Sequence, residues 1–301
     1  MPDYTLELKN GQKTSHPYYQ IRFYAMASPC EVLIKIQDEN LCKKLAKSIT
    51  DEVRRIENKY SRFQPASLLS KINHSKSIST DIDLETFQLL NYSNEVYNLS
   101  DGLFDITSGI LGKLWNFKNQ STVPNEDKIA DALSFIGFNK IKYTESSVSL
   151  PKGMQIDFGG IGKEYAVDQV AKILDIHCIH KKINFLINLG GDLFAKDYKS
   201  ETDNSPWKVG LDDSKNGYIS LLNGAVATSG TSQRSFFQNG KIYSHLLNPK
   251  TGWPIENPPK SVTCFAENCV LAGTYSSLAM LQGSNAECFL KSEEIEHILV
   301  M

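Results

Sequence analysis

Apolar residues recur along this chain with a period that changes several times, and each change marks an element. Residues 18–27 and 31–36 (Gln-Ile-Arg-Phe-Tyr-Ala-Met-Ala at 20–27, then Glu-Val-Leu-Ile-Lys-Ile) predict a strand pair. Between 39 and 60 the period lengthens, so that Leu41, Leu45, Ile49, Val53, Ile56 and Tyr60 share one helical face. Ser61–Asn73 follows as a loop. A second amphipathic helix spans Asp83–Ser100, with Asp83 as its cap, Glu85 in its first turn and Asp101-Gly102 as its stop. The apolar run Leu103–Trp115 is punctuated by Asp105 and Thr107. A helix from Asn125 to about Ile136 and strands around 140–143 and 148–150 complete the first half.

The second half opens with a strand from Met154 that enters a glycine turn and leaves as a helix from Glu164 to about Leu174. Ile183–Leu189 reads as a buried strand ending in Gly190-Gly191-Asp192. Short strands are expected at Trp207–Leu211, Ile219–Leu222 and Ala225–Thr228, with a polar run of small residues from Thr228 to Ser232. A strand at Ile242–Leu247 carries His245 toward the turn Asn248–Gly252. Ser261–Ala266 is a strand, Leu271–Leu281 a helix, and a last strand lies near the C-terminus. Strands and helices mixed without regular alternation predict an α+β fold rather than a doubly wound sheet.

Composition narrows the function classes. The chain has 301 residues, 41% hydrophobic and 22% charged, as in a globular protein of one large or two small domains. A net charge of −2 with scattered lysines gives no basis for nucleic acid or an anionic membrane as partner. No apolar run is long enough to span a membrane, and the first 25 residues are polar, without lipobox cysteine. As it stands the sequence is therefore expected in the cytoplasm, or without its export signal. Six scattered cysteines with no Cys-x-x-Cys pattern are expected as reduced, mostly buried thiols. His177, Cys178 and His180 are better read as a solvated loop than as a metal site, because no second ligand pair has zinc spacing.

The chemistry concentrates in Met154–Asp168, Met-Gln-Ile-Asp-Phe-Gly-Gly-Ile-Gly-Lys-Glu-Tyr-Ala-Val-Asp. A glycine turn at a helix N-terminus suits an anion, because the backbone approaches closely and the first N–H groups carry partial positive charge. Lys163 adds a full charge there, and Asp157 sits just before the turn. A phosphate-bearing ligand is the reading, with a turn that serves packing alone as its alternative. Neither standard nucleotide fingerprint fits. Asp157 stands at the first glycine of a Walker loop and Glu164 follows Lys163, while Tyr165 stands at the third glycine of a dinucleotide motif. Asp105, in apolar surroundings, needs partners, and a helix cap by Asp105 or Thr107 is one way to find them.

Seven segments together resemble the ApbE-type FAD:protein FMN transferases, formerly called thiamine biosynthesis lipoproteins. They are Tyr60–Asn73, Asp101–Trp115, Ile156–Asp168, Asn188–Asp192, Ala225–Gly230, Ser244–Gly252 and Ser261–Gly273, in the family's order and spanning about 26–283 of the chain. The resemblance implies an ApbE-like α+β fold, with mainly antiparallel sheets flanked by helices and two lobes with the flavin site between them. It implies FAD as substrate, Mg²⁺, and transfer of FMN to a Thr or Ser of a target flavoprotein with release of AMP. Some members are FAD pyrophosphatases giving FMN and AMP, and members are often exported lipoproteins.

By the same resemblance, Met26, Phe63, Leu103, Phe104, Asp105, Asp157, Lys163 and Leu247 match FAD-contacting positions, with Phe63 where Tyr is common. His245 matches a histidine suited to take the acceptor hydroxyl's proton, since imidazole titrates near neutrality. The metal positions fall on the Gly160 carbonyl and, four residues apart on the last long helix, on Gly273 and Ser277. Here the chain departs from the pattern. Where the family carries a metal-binding Asp it has Gly273, and where the family usually has Gly it has Glu164. Mg²⁺ usually takes at least one anionic protein ligand. The departure implies either a substitute acid, with Glu164 and Asp192 as candidates, or an FAD-binding protein impaired in catalysis. A second departure is Met26-Ala27-Ser28, where the family usually reads Met-Gly-Thr.

Overall fold

The computed structural model describes residues 3–10, 17–75, 77–115, 117, 123–199, 205–210, 217–231, 235–238 and 241–301. The first part of the chain forms β1 (Thr5–Lys9), β2 (Tyr18–Ala25), β3 (Ser28–Ile34), α1 (Glu39–Tyr60), α2 (Leu68–Asn73), β4 (Thr80–Asp81) and α3 (Leu84–Leu99). Next come α4 (Leu111–Leu114), α5 (Glu126–Leu133), β5 (Lys142–Tyr143), β6 (Ser147–Ser149) and α6 (Gly162–Cys178). Strands β7 (Phe185–Leu189), β8 (Asp192–Lys196), β9 (Trp207–Gly210), β10 (Tyr218–Leu221) and β11 (Gly224–Gly230) follow. The chain ends with β12 (Ser235–Gln238), β13 (Lys241–Ser244), β14 (Ser261–Ala266), α7 (Cys269–Leu281), α8 (Ala286–Ser292) and β15 (His297–Val300). This is an α+β chain.

It divides into two compact units. The first comprises Met1–Glu57, Ile161–Thr228 and Cys264–Gly273, and the second Asn58–Gly160, Ser229–Thr263 and Thr274–Met301.

The first unit is built on sheet strands in the order β1-β2-β3-β7-β8-β11, followed by the Cys264–Ala266 part of β14. The β2–β3 hairpin pairs Tyr19 with Ile34 and Ala25 with Ser28, and β3 pairs Cys30 with Leu189 in antiparallel register. Central strands such as Phe185–Leu189 are apolar on both faces because both are covered. Helix α6 packs on β7 and β8, burying Val167, Val170, Ala171 and Leu174. The apolar stripe of α1 is buried as its period requires, at Leu45, Ile49, Val53 and Ile56. Tyr18, Leu33, Leu186, Trp207 and Val226 form another cluster, with the Tyr18 and Trp207 rings edge to face at 5.8 Å.

In the second unit, Asp83 caps α3 by accepting from the Thr86 N–H at 3.0 Å, as its position predicts. Leu111, Trp115, Ile129, Ala132 and Ile136 form a cluster on which Leu247 and Trp253 pack, and the Trp115 indole donates to the Gly252 carbonyl at 2.8 Å.

Several sequence expectations change. The expected loop after α1 contains α2, too short for a periodic signal but capped by Ser67, whose hydroxyl accepts from Ser70 N–H. Residues 154–158 form no strand. The Ile156 N–H and carbonyl bond instead to the Asn73 side-chain amide, and the Asp157 N–H donates to the Ile106 carbonyl. Helix α6 runs through Cys178 into a 3₁₀ turn, so His177, Cys178 and His180 lie on helix rather than loop. Strand β13 stops at Ser244, leaving His245 just beyond it and Leu247 in an isolated bridge with Pro254. Leu211 and Ser232 lie outside the described residues. All six cysteines are free thiols, five of them buried. No helix among the described residues is long and apolar enough to cross a membrane.

Candidate active site

In the first unit the candidate groups gather at the N-terminus of α6. Ile161, its N-cap, offers no side-chain acceptor, so the first-turn N–H groups receive no cap from it. Lys163 directs its ammonium to Asp192 Oδ2 at 3.2 Å. Asp192 is brought there by the turn Gly190-Gly191, whose φ angles of 69° and 103° favour glycine. A Cβ on Gly190 would lie 2.5 Å from Ser28 Oγ and 3.8 Å from Lys163 Cδ, so this turn sits against both. Met26, in the two-residue turn between β2 and β3, donates its N–H to Glu57 at 2.8 Å. Burial pushes the Lys163 ammonium down, but the charges of Asp192 and Glu164 outweigh it and hold it above its ordinary value.

Glu164 is 8% exposed, and its Oε2 finds no hydrogen-bond partner. Burial first, and the charge of Asp192 second, push its carboxyl up to about 8. Its side chain lies over Gly273: a Cβ there would stand 2.5 Å from Glu164 Cγ and 2.9 Å from Oε1. Asp168, one turn further along α6, accepts from the N–H groups of Cys269 and Val270 at 2.7 and 3.0 Å and so anchors the start of α7. Burial raises its carboxyl above the usual range despite these bonds.

The second unit carries the remaining candidates. Asp157 accepts from Arg62 Nη1 at 2.7 Å and, through Oδ1, from the Gly159 N–H at 3.0 Å, which shapes the glycine turn. The Arg62 guanidinium lies 4.9 Å from the centre of the Phe63 ring, and Phe63 is 80% exposed, a free face for stacking. The Phe104 ring packs on Gly160, where a Cβ would meet it at 3.1 Å. Leu103 is half-buried beside it in the chain. Asp105, 7% exposed, accepts from Thr107 N–H at 2.8 Å, Thr107 Oγ1 at 2.6 Å and Phe138 N–H at 3.1 Å. Neither Asp105 nor Thr107 makes a side-chain cap on the 3₁₀ turn that follows. Burial nevertheless raises the Asp105 carboxyl. His245 and Leu247 are half-buried. Ser277 Oγ lies 3.4 Å from Ser229 Oγ, which also meets Ser276 Oγ at 2.9 Å.

The structure thus collects Lys163, Glu164, Asp192 and Gly273 in one unit, and Phe63 beside Arg62 and Asp157, with Phe104 on Gly160, in the other. Arg62 and Asp168 were missed by sequence reasoning. The charge of Arg62 beside an aromatic gave a faint signal, while the anchoring of α7 by Asp168 is a long-range contact with none. Among the described residues no group of three or more His, Cys, Asp or Glu converges as a metal cluster, so a cation here would need backbone, hydroxyl or substrate oxygens as well.

Comparison with known proteins gives one consistent result. The profile of the ApbE family matches residues 19–299. An FAD:protein FMN transferase of Chlamydia pneumoniae is 28% identical over 264 residues, 85% of this chain and 81% of that protein. One from Klebsiella pneumoniae is 26% identical over 295 residues, 94% and 89% of the two chains. The crystal structure of the ApbE protein from Thermotoga maritima superposes with a TM-score of 0.82 at 28% identity, covering 94% of each chain.

Proposed function

The chain belongs to the ApbE family, and we propose that it is an FAD:protein FMN transferase that moves FMN from FAD to a Thr or Ser of an acceptor flavoprotein, releasing AMP. The observation that carries this reading is the N-terminus of α6, where a glycine turn, first-turn N–H groups without a side-chain cap and the Lys163 ammonium offer a seat for a pyrophosphate. In this reading the acceptor hydroxyl attacks the FMN phosphorus, the bond to the bridging oxygen breaks, and AMP departs. His245 takes the hydroxyl proton, and Lys163 neutralises charge on the phosphoryl oxygens. Met26, Phe63, Leu103, Phe104, Asp105, Asp157 and Leu247 hold FAD, with the open face of Phe63 available for stacking.

Mg²⁺ belongs to the proposal. The Gly160 carbonyl and the Ser277 hydroxyl, which the resemblance places at the metal, are hard oxygen donors of the kind such a cation takes. When bound, it supplies further neutralisation of the pyrophosphate charge.

The test is AMP release from FAD by the purified protein, in Mg²⁺ or EDTA, with and without a peptide carrying the acceptor Thr. Release that needs both metal and peptide, with flavin appearing on the peptide, is the expected result. Release without peptide would make the protein an FAD pyrophosphatase. FAD binding with no release in any arm would make it a binder that does not turn over.

A further inference from the structure

We propose that Glu164 supplies the anionic metal ligand that the family pattern puts at position 273, so that the carboxylate has moved from α7 to α6. The proposal rests on the flavin-transfer reading for the presence of Mg²⁺, but its evidence is a packing relation within one unit. A Cβ on Gly273 would stand 2.5, 2.9 and 3.1 Å from Glu164 Cγ, Oε1 and Cδ. Real Cβ atoms essentially never come so close, so Glu164 occupies the space a Cβ at 273 would take, and a larger residue there would require the Glu164 side chain to move aside. The two departures from the family pattern are therefore one exchange. Glycine at 273 makes room, and glutamate at 164 enters the room with the same functional group.

What the carboxylate does there separates the two candidate acids. Asp192 is paired with Lys163 at 3.2 Å, and Asp168 spends both oxygens on the first N–H groups of α7. Glu164 Oε2 has no partner, although the residue is 8% exposed. A buried carboxylate oxygen left alone is costly, and an acid that served only packing would be better replaced by an apolar residue of its size.

The test reads metal binding apart from catalysis. Mn²⁺, visible by electron paramagnetic resonance, is titrated into the full-length protein saturated with FAD. Wild type is compared with Glu164→Gln, Gly273→Asp and the exchange Glu164→Ala/Gly273→Asp. FAD affinity in EDTA and the thermal transition are measured for each. Glu164→Gln is expected to weaken Mn²⁺ by about tenfold or more, since loss of even an outer-shell partner costs that much. The exchange is expected to recover most of the affinity, and Gly273→Asp alone is not.

Unchanged Mn²⁺ affinity in Glu164→Gln would overturn the proposal, as would a wild type that binds no Mn²⁺ with FAD present. Should Glu164→Gln unfold, the exchange variant decides: folded but without Mn²⁺, it overturns the assignment. A protein that binds Mn²⁺ through Glu164 yet releases no AMP would leave the ligand standing and defeat the transferase reading instead. Full Mg²⁺-dependent transfer by Glu164→Gln would do the reverse.

Discussion

Asp105 in one unit and Glu164 in the other are carboxylates buried to nearly the same depth, 7% and 8% exposed, and the two are provided for in opposite ways. Asp105 receives two backbone N–H groups and a hydroxyl, all from the loop segments it joins, and its oxygens serve the fold. Glu164 lies in the first turn of α6 with one oxygen unpartnered, pressed over a glycine that leaves space for nothing else. Burial raises both carboxyls. The contrast teaches that burial alone does not say what an acid is for, whereas the fate of its lone pairs does. An acid with internal donors holds structure, and one left open at the same depth is held ready for a charge from outside.

Stability measurements break or sharpen that contrast. Asp105→Ala would strand the N–H groups of Thr107 and Phe138 in a dry setting, and it is expected to cost about 3 kcal/mol in urea unfolding. Glu164→Gln in metal-free buffer is expected to change stability by less than about 1 kcal/mol, or to raise it, because an open buried carboxylate is removed. Equal losses from the two substitutions would erase the distinction. Next in size is Gly273→Asp alone. The new side chain collides with Glu164 and brings a second acid against it, for an expected loss of about 2 kcal/mol. Glu164→Ala/Gly273→Asp should regain most of that, and a double variant as unstable as Gly273→Asp would show that the two positions do not exchange volume.

A third carboxylate, nearer the surface, sets a smaller scale. Partial burial pushes the Asp83 carboxyl up, but the hydrogen bonds from Lys59 and Thr86, with the Lys59 charge, outweigh it and bring it to about 2. A depressed carboxyl stabilises the fold above its unfolded value of 3.8, and that contribution fades as pH falls through about 2. Asp83→Ala should cost about 1 kcal/mol near neutrality, as the loss of an N-cap does. Wild type and variant should converge in stability as pH drops from 4 toward about 2. A gap that stays constant across that window would mean the cap works without its charge.

The parts of this architecture that were legible in the sequence are those set by local rules. Helix α1 follows from one apolar stripe, and α3 from a stripe preceded by Asp83. The β2–β3 hairpin follows from two apolar runs around a short turn. Residues 154–158 looked like a strand because strand and buried loop share the same apolar run. Only the Asn73 amide and the Ile106 carbonyl, far away in sequence, reveal which one forms. The site was legible as a set of residues and not as an arrangement. The missing Asp at 273 and the surplus acid at 164 could be read separately, but nothing in a one-dimensional pattern says that one side chain occupies the other's space. The same limit hid Arg62 on Asp157 and Asp168 under α7.

The smallest expected effect lies in the same unit as Glu164, in the backbone rather than a side chain. Met26 and Ala27 form the two-residue turn of the β2–β3 hairpin with φ of 52° and 58°, the left-handed pair that such a turn requires. In this region a Cβ crowds the backbone, at a cost of roughly 1–2 kcal/mol, and the family usually has glycine at the second position. Ala27→Gly removes that strain but frees the unfolded chain, so the net gain should be about 0.5 kcal/mol. The turn also fixes the Met26 N–H on Glu57 and places Ser28 against Gly190, the glycine turn that presents Asp192 to Lys163. If the hairpin only supports that arrangement, Ala27→Gly should raise the melting temperature slightly and leave Mn²⁺ affinity unchanged. A shift in Mn²⁺ affinity with no gain in stability would show that the strain is transmitted to the acid cluster, and Glu164 would then be tuned by the turn as well as by the helix that carries it.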